Sequence, residues 1–138
     1  MSRKSPSAAS SPPPYPTDAE LAILRILWQQ RGASSVREVL DELNAARAEP
    51  LAYTTVLRFL QIMTGKRLVV RNEGERGHVY APAIPAERTK KQMVRDLMDR
   101  AFGGSAHELV LQALGAGKVS AAELREIRKL LNELDRKL

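Results

Sequence analysis

Three amphipathic helical patterns in succession, closed by a short β-branched hairpin, constrain this chain more than any other feature. The hairpin reads Leu68-Val69-Val70-Arg71-Asn72, a Gly-rich turn Glu73-Gly74-Glu75-Arg76-Gly77, and His78-Val79-Tyr80-Ala81-Pro82. Two strands of this length are not stable alone, so they must pack on the helices that precede them. The first helical pattern opens at Thr17 or Asp18, with Glu20 placed three residues after Thr17 as a capping box requires. Leu21, Leu24, Leu27 and Trp28 carry it to about Gln30, and Gly32 stops it. Ala33-Ser34-Ser35 reads as an extended link ending in a Ser N-cap. Val36, Val39, Leu40 and Leu43 then recur at i, i+3, i+4 and i+7, the signature of a second helix.

The third helix is predicted from about Ala52 to Thr64, with Gly65 as its C-cap and Lys66 and Arg67 beside it. On a helical wheel Tyr53, Val56, Leu57, Leu60 and Met63 share one arc, and Trp28 and Tyr53 are both expected in the core. Thr54, Thr55, Arg58 and Ile62 fall on the opposite arc, with Gln61 at its edge. Three helices and a hairpin in this order describe a winged helix-turn-helix. Its third helix is narrow enough for the major groove of DNA and carries hydroxyl and basic side chains on the face left outside. Thr54 and Thr55 suit phosphates or base edges, Arg58 suits a guanine edge or a phosphate, and Ile62 suits a thymine methyl. Lys66 and Arg67 suit phosphate or complement the helix C-terminus. Arg76 and His78 flank the wing tip, where a winged helix grips flanking backbone or the minor groove. The competing reading of each is a solvated surface residue.

Residues 86–138 return to helix. Met93, Leu97 and Ala101 line one segment, which Phe102-Gly103-Gly104 breaks. Ser105 caps a short apolar helix through Leu109, Val110, Ala113 and Leu114, which Gly115 and Gly117 break. Ser120 and Glu123 form a second capping box. The last helix spaces Leu124, Ile127, Leu131, Leu134 and Leu138 alternately three and four apart, an a/d seam. Two heptads are too few for an independent coiled coil. Homodimerisation is the economical use of the seam, and an internal three-helix bundle is the alternative. The expected organisation is a Pro/Ser-rich disordered arm over 1–16, a DNA-binding domain over 17–85 and a helical dimerisation domain over 86–138.

Charge supports the same partner. The 138 residues carry 22 Lys+Arg against 16 Asp+Glu, a formal +6. The excess is uneven: residues 17–49 are net acidic, whereas residues 50–85 hold Arg58, Lys66, Arg67, Arg71 and Arg76 against only Glu73 and Glu75. The chain has no cysteine and two isolated histidines, His78 and His107. That excludes a disulfide framework, thiolate metal sites and cysteine nucleophiles, and leaves no expected metal or cofactor. No Gly-rich phosphate loop and no Ser/His/acid arrangement is present, so an enzyme is not expected. No apolar run approaches the roughly 20 residues of a membrane span, and no signal-peptide pattern opens the chain, so a cytoplasmic protein is expected.

Tyr53-Thr54-Thr55-Val56-Leu57, Leu68-Val69-Val70-Arg71 and Gly77-His78-Val79-Tyr80-Ala81-Pro82, in this order and spacing, resemble the penicillinase-repressor family of BlaI, MecI and CopY type. Leu21 to Trp28 is similar to that family's first helix, and Phe102-Gly103-Gly104-Ser105 to its inter-helix junction. The resemblance covers about residues 17–138 and leaves out the Pro-rich arm. It implies a homodimeric bacterial repressor that binds operator DNA through the winged helix and dimerises through the C-terminal helices. Thr54, Thr55 and Arg58 then match the recognition face, and Arg76 and His78 the wing. In the β-lactam-responsive members a membrane sensor metalloprotease triggers cleavage between an Asn and a Phe in the C-terminal region. Gln112-Ala113 occupies the matching position here, a departure that moves or removes that switch. The copper-responsive members carry a C-terminal cysteine motif that this chain lacks.

The reading is a sequence-specific, homodimeric transcriptional repressor that occludes a promoter at a pseudo-palindromic operator, with double-stranded DNA and a second copy of itself as partners. A sensor metalloprotease, or a protease downstream of it, is the further partner that the resemblance implies. The alternatives are a winged-helix protein-interaction module, and an architectural or activating DNA-binding protein.

Overall fold

The computed structural model describes residues 15–30 and 32–138; the expected arm over 1–16 lies outside them except for Tyr15 and Pro16, and Pro16 is buried. Among the described residues there are six helices and one three-stranded sheet. The described residues fall into two compact units that divide between Lys91 and Gln92.

In the first unit, α1 (Asp18–Gln29) starts with the expected capping box. Thr17 Oγ1 accepts from the Glu20 amide and Glu20 Oε1 from the Thr17 amide. Gly32, at φ +94°, turns the chain out of it. Strand β1 (Ser34–Ser35) leads directly into α2 (Val36–Ala45), whose N-cap Ser35 forms a second capping box with Glu38. Asn44 then pins the connection to the third helix. Its amide donates to the Leu51 carbonyl at 3.1 Å and its carbonyl accepts from the Leu51 amide at 2.8 Å. This pairing fixes where α3 (Tyr53–Gly65) begins.

The end of α3 differs from expectation. The helix runs through Gly65, and Arg67 rather than Gly65 takes the left-handed conformation, at φ +65°. Leu68 N–H bonds Met63 O at 2.9 Å and Arg67 N–H bonds Thr64 O at 3.1 Å. This is a Schellman motif, and its apolar clasp is supplied by the buried pair Met63 and Leu68. Gly65 looks like a stop in sequence, but the clasp needs the apolar residue at position 68 and therefore sets the stop two residues later.

The chain returns as the hairpin β2 (Val69–Gly74) and β3 (Gly77–Pro82), with Val69 opposite Pro82 and Gly74 opposite Gly77. The turn is thus only Glu75-Arg76, shorter than the five-residue turn expected. A Cβ on Gly74 would lie 2.8 Å from Gly77 O and 2.9 Å from Val79 Cγ1, so this position requires glycine. Ser34 and Ser35 pair with Tyr80 and Val79, giving strand order β1-β3-β2. The core joins Ile23, Leu24 and Leu27 of α1, Val36, Val39 and Leu40 of α2, Val56, Leu60 and Met63 of α3, and Leu68, Val69 and Tyr80. Trp28, as expected, packs against it. Tyr53 does not: as the first residue of α3 it is 45% exposed and lines a cleft with Val36 and Arg37 of α2.

The second unit takes the rest of α4 (Ala86–Ala101) with α5 (Ala106–Ala116) and α6 (Ala121–Arg136). Gly103 and Gly104, at φ +57° and +79°, make the break after α4. Gly115 does not break α5, which ends at its cap Gly117. No residue of α4, α5 or α6 is buried. An internal three-helix bundle, which would bury one stripe of each helix, is therefore not formed.

Candidate nucleic-acid interface

Because Val56, Leu60 and Met63 are wholly buried, the opposite side of α3 is forced outward. Thr54, Arg58, Gln61 and Ile62 are exposed there or nearly so, and Thr55 is half-buried. Ile62 is 44% exposed, an apolar group held in solvent in the middle of a polar face. No side chain caps the N-terminus of α3, since Ala52 occupies that position.

The C-terminal end of α3 separates two residues that look alike in sequence. Arg67 is exposed, with no carboxylate within ion-pair distance among the described residues. Lys66 is different: its Nζ lies 2.7 Å from Glu20 Oε1, and the Glu20 side chain is only 4% exposed. Burial alone would raise the Glu20 pKa. The bond from Lys66 and the Thr17 amide outweigh it and hold the carboxyl below its usual value. Lys66 therefore ties the end of the candidate recognition helix to the start of α1.

The hairpin places Arg76 at its tip, exposed, and His78 beside it, with His78 Nε2 3.2 Å from Glu73 Oε2 on the facing strand. Three residues not singled out in sequence for this role join the surface. Arg37, in the first turn of α2, sets its guanidinium 5.7 Å from the centre of the Tyr53 ring. Arg71 of β2 lines the same cleft as both of them, together with Gln61, Arg76 and His78. Arg71 was legible as a basic residue in a strand. Its neighbourhood was not, since it depends on β1 and β3 bringing α2 up to the wing.

The seam residues Leu131, Leu134 and Leu138 are exposed, and Leu124 and Ile127 are half-buried. Gln112 and Ala113 are exposed within α5. Among the described residues no helix is long and apolar enough to cross a membrane.

A compact three-helix core that turns one polar helix face outward beside a two-stranded wing is the construction of a winged-helix DNA-binding regulator. The chain belongs to the penicillinase repressor family, whose profile matches residues 16–133. It is a transcriptional repressor by family and not an enzyme. It is similar to the transcriptional regulator BlaI of Mycobacterium tuberculosis, at 31% identity over 86% of this chain and 83% of that protein. The penicillinase repressor of Bacillus licheniformis is 26% identical over 87% of this chain and 91% of its own length. That of Staphylococcus aureus is 21% identical over 86% and 92%.

Proposed function

We propose that the protein is a cytoplasmic homodimeric repressor that occludes a promoter at a pseudo-palindromic operator. The observation that carries this is the exposed face of α3 beside a wing whose cations largely lack acidic partners. Thr54, Thr55, Arg58, Gln61 and Ile62 lie in the major groove, where Arg58 takes a guanine edge and Ile62 a thymine methyl. Arg67, Arg76 and His78 meet backbone phosphates on either side. Residues 17–85 make the reading head. Residues 86–138 make the dimer, and Leu131, Leu134 and Leu138 of α6 support that assignment because they stand exposed to solvent. Two heads on one two-fold axis then add their contacts at two half-sites.

Release by proteolysis belongs to the same reading, with a membrane sensor metalloprotease or a protease downstream of it as partner. Cutting Gln112–Ala113 would require α5 to open, since a protease takes its substrate extended.

Sequencing the genomic fragments retained by the purified protein tests the proposal. A shared palindrome upstream of a small set of genes is expected. Retention without a common motif would reduce the protein to non-specific binding.

A further inference from the structure

Between the N-terminus of α2, the outer side of α3 and the wing lies a cleft of about 600 Å³ lined by Arg37, Tyr53, Gln61, Arg71, Arg76 and His78, and by no carboxylate. Among the described residues neither Arg37, Arg71 nor Arg76 has an acid within ion-pair distance, and Glu73 meets only His78. Arg37 is the telling member. It sits in the first turn of α2, where the helix dipole disfavours a cation. It is nonetheless held in place, its guanidinium against the exposed Tyr53 ring. Three guanidiniums facing one cleft repel one another until an anion joins them.

The geometry points to a phosphate clamp: Arg37, Tyr53 and Arg71 seat backbone phosphodiesters of the DNA strand that passes between the recognition helix and the wing. The inference rests on the DNA-binding reading above and adds residues to it. Its chemistry is sequence-independent. The three residues set how tightly and in what register the head sits, while Arg58 and its neighbours on α3 read the bases. Tyr53 acts as a positioning residue, since its ring keeps the Arg37 guanidinium extended into the cleft.

The test is the salt dependence of binding by full-length protein to a fluorescent duplex, by anisotropy between 50 and 200 mM KCl. The duplex is either the retained genomic motif or a scrambled one. Removing one phosphate contact lowers the log–log slope by about 0.9. Each of the two heads loses two contacts in Arg37→Ala with Arg71→Ala, so the slope is expected to flatten by about 3.6. The affinity gap to the wild type should narrow by roughly 150-fold across that range. The weakening should be equal on the two duplexes, and Arg37→Lys with Arg71→Lys should keep the slope. Tyr53→Ala should reproduce part of the Arg37→Ala effect and add nothing to it.

An unchanged slope in the double variant, beside a steep one in the wild type, overturns the clamp and leaves DNA binding standing. A wild type with no salt-dependent binding overturns the DNA reading itself. The remaining arm uses inorganic phosphate. If about 10 mM phosphate at constant ionic strength binds the wild type and not the double variant, yet displaces no duplex from either, the cleft is a free-anion site and the strand assignment fails.

Discussion

Replacing Lys66 by Met tests whether this residue belongs to the scaffold or to the DNA surface. Glu20 Oε1 accepts from both the Thr17 amide at 2.9 Å and Lys66 Nζ at 2.7 Å, within a side chain only 4% exposed. Lys66→Met strips away the countercharge and leaves a desolvated carboxylate with a single backbone donor. Removing one partner of a fully buried pair costs about 3–5 kcal/mol. The Lys66 side chain is 34% exposed, so solvent already screens part of the attraction. The expected loss is then about 2 kcal/mol. Glu20→Gln keeps the acceptor of the capping box and frees Lys66 to water, and should cost about 1 kcal/mol. The two changes together should cost less than their sum, giving a coupling energy of about 1–2 kcal/mol. The assay is urea unfolding at one fixed protomer concentration, because any self-association enters the apparent stability. The pH dependence follows from the lowered Glu20 pKa. The stabilisation is complete above the ordinary carboxylate value of 4.5 and is lost as pH falls through the lower folded-state value. The coupling should therefore vanish in acid. A Lys66→Met variant within about 0.5 kcal/mol of wild type at pH 7 would refute the reasoning, as would a coupling that survives at about pH 2. If Lys66 instead contacts phosphate, the variant lowers the salt slope of DNA binding by about 1.8, one contact from each head; the ion pair predicts no change.

Three further outcomes are expected. Arg58→Ala should cost about 1–3 kcal/mol of binding to the retained genomic motif and much less on a scrambled duplex, measured by anisotropy; equal effects on both would make Arg58 a phosphate contact. Arg67→Gly should relieve the left-handed backbone and stabilise the protein by about 1 kcal/mol in urea, while its salt slope on DNA falls by about 1.8, one contact from each head. A destabilised variant would mean that the arginine side chain holds the turn. If the proposed dimer forms through α6, Leu131→Asp should give a monomer in light scattering and weaken motif binding steeply, and a dimeric variant would remove α6 from that interface.

The elements that were legible in sequence are those whose stabilisation is local. The Thr17–Glu20 and Ser120–Glu123 capping boxes, the helical spacing of α1 to α3 and the β-branched arms of the hairpin each declare themselves within a few residues. What stayed hidden depends on distant partners. Strand β1 is two serines, too short for any periodicity, and exists because Tyr80 and Val79 pair with it. Glu20 reads as a capping acid, and only the fold brings Lys66 onto it from 46 positions away. Tyr53 falls in phase with Val56 and Leu60, yet the core ends before it and Arg37 covers its ring. The outward face of α3 was legible because its inward face is so strictly apolar. The cleft beside it was not, because α2, α3 and the wing each contribute a part.

Sequence-specific recognition by the α3 face is the central claim. The most direct measurement is the ratio of affinities for the retained motif and a scrambled duplex of equal length at about 150 mM KCl, for the wild type and for Arg58→Ala. A wild-type ratio of about 1,000 or more, reduced by Arg58→Ala, is the predicted result. A ratio near one, unchanged by the substitution, would contradict it.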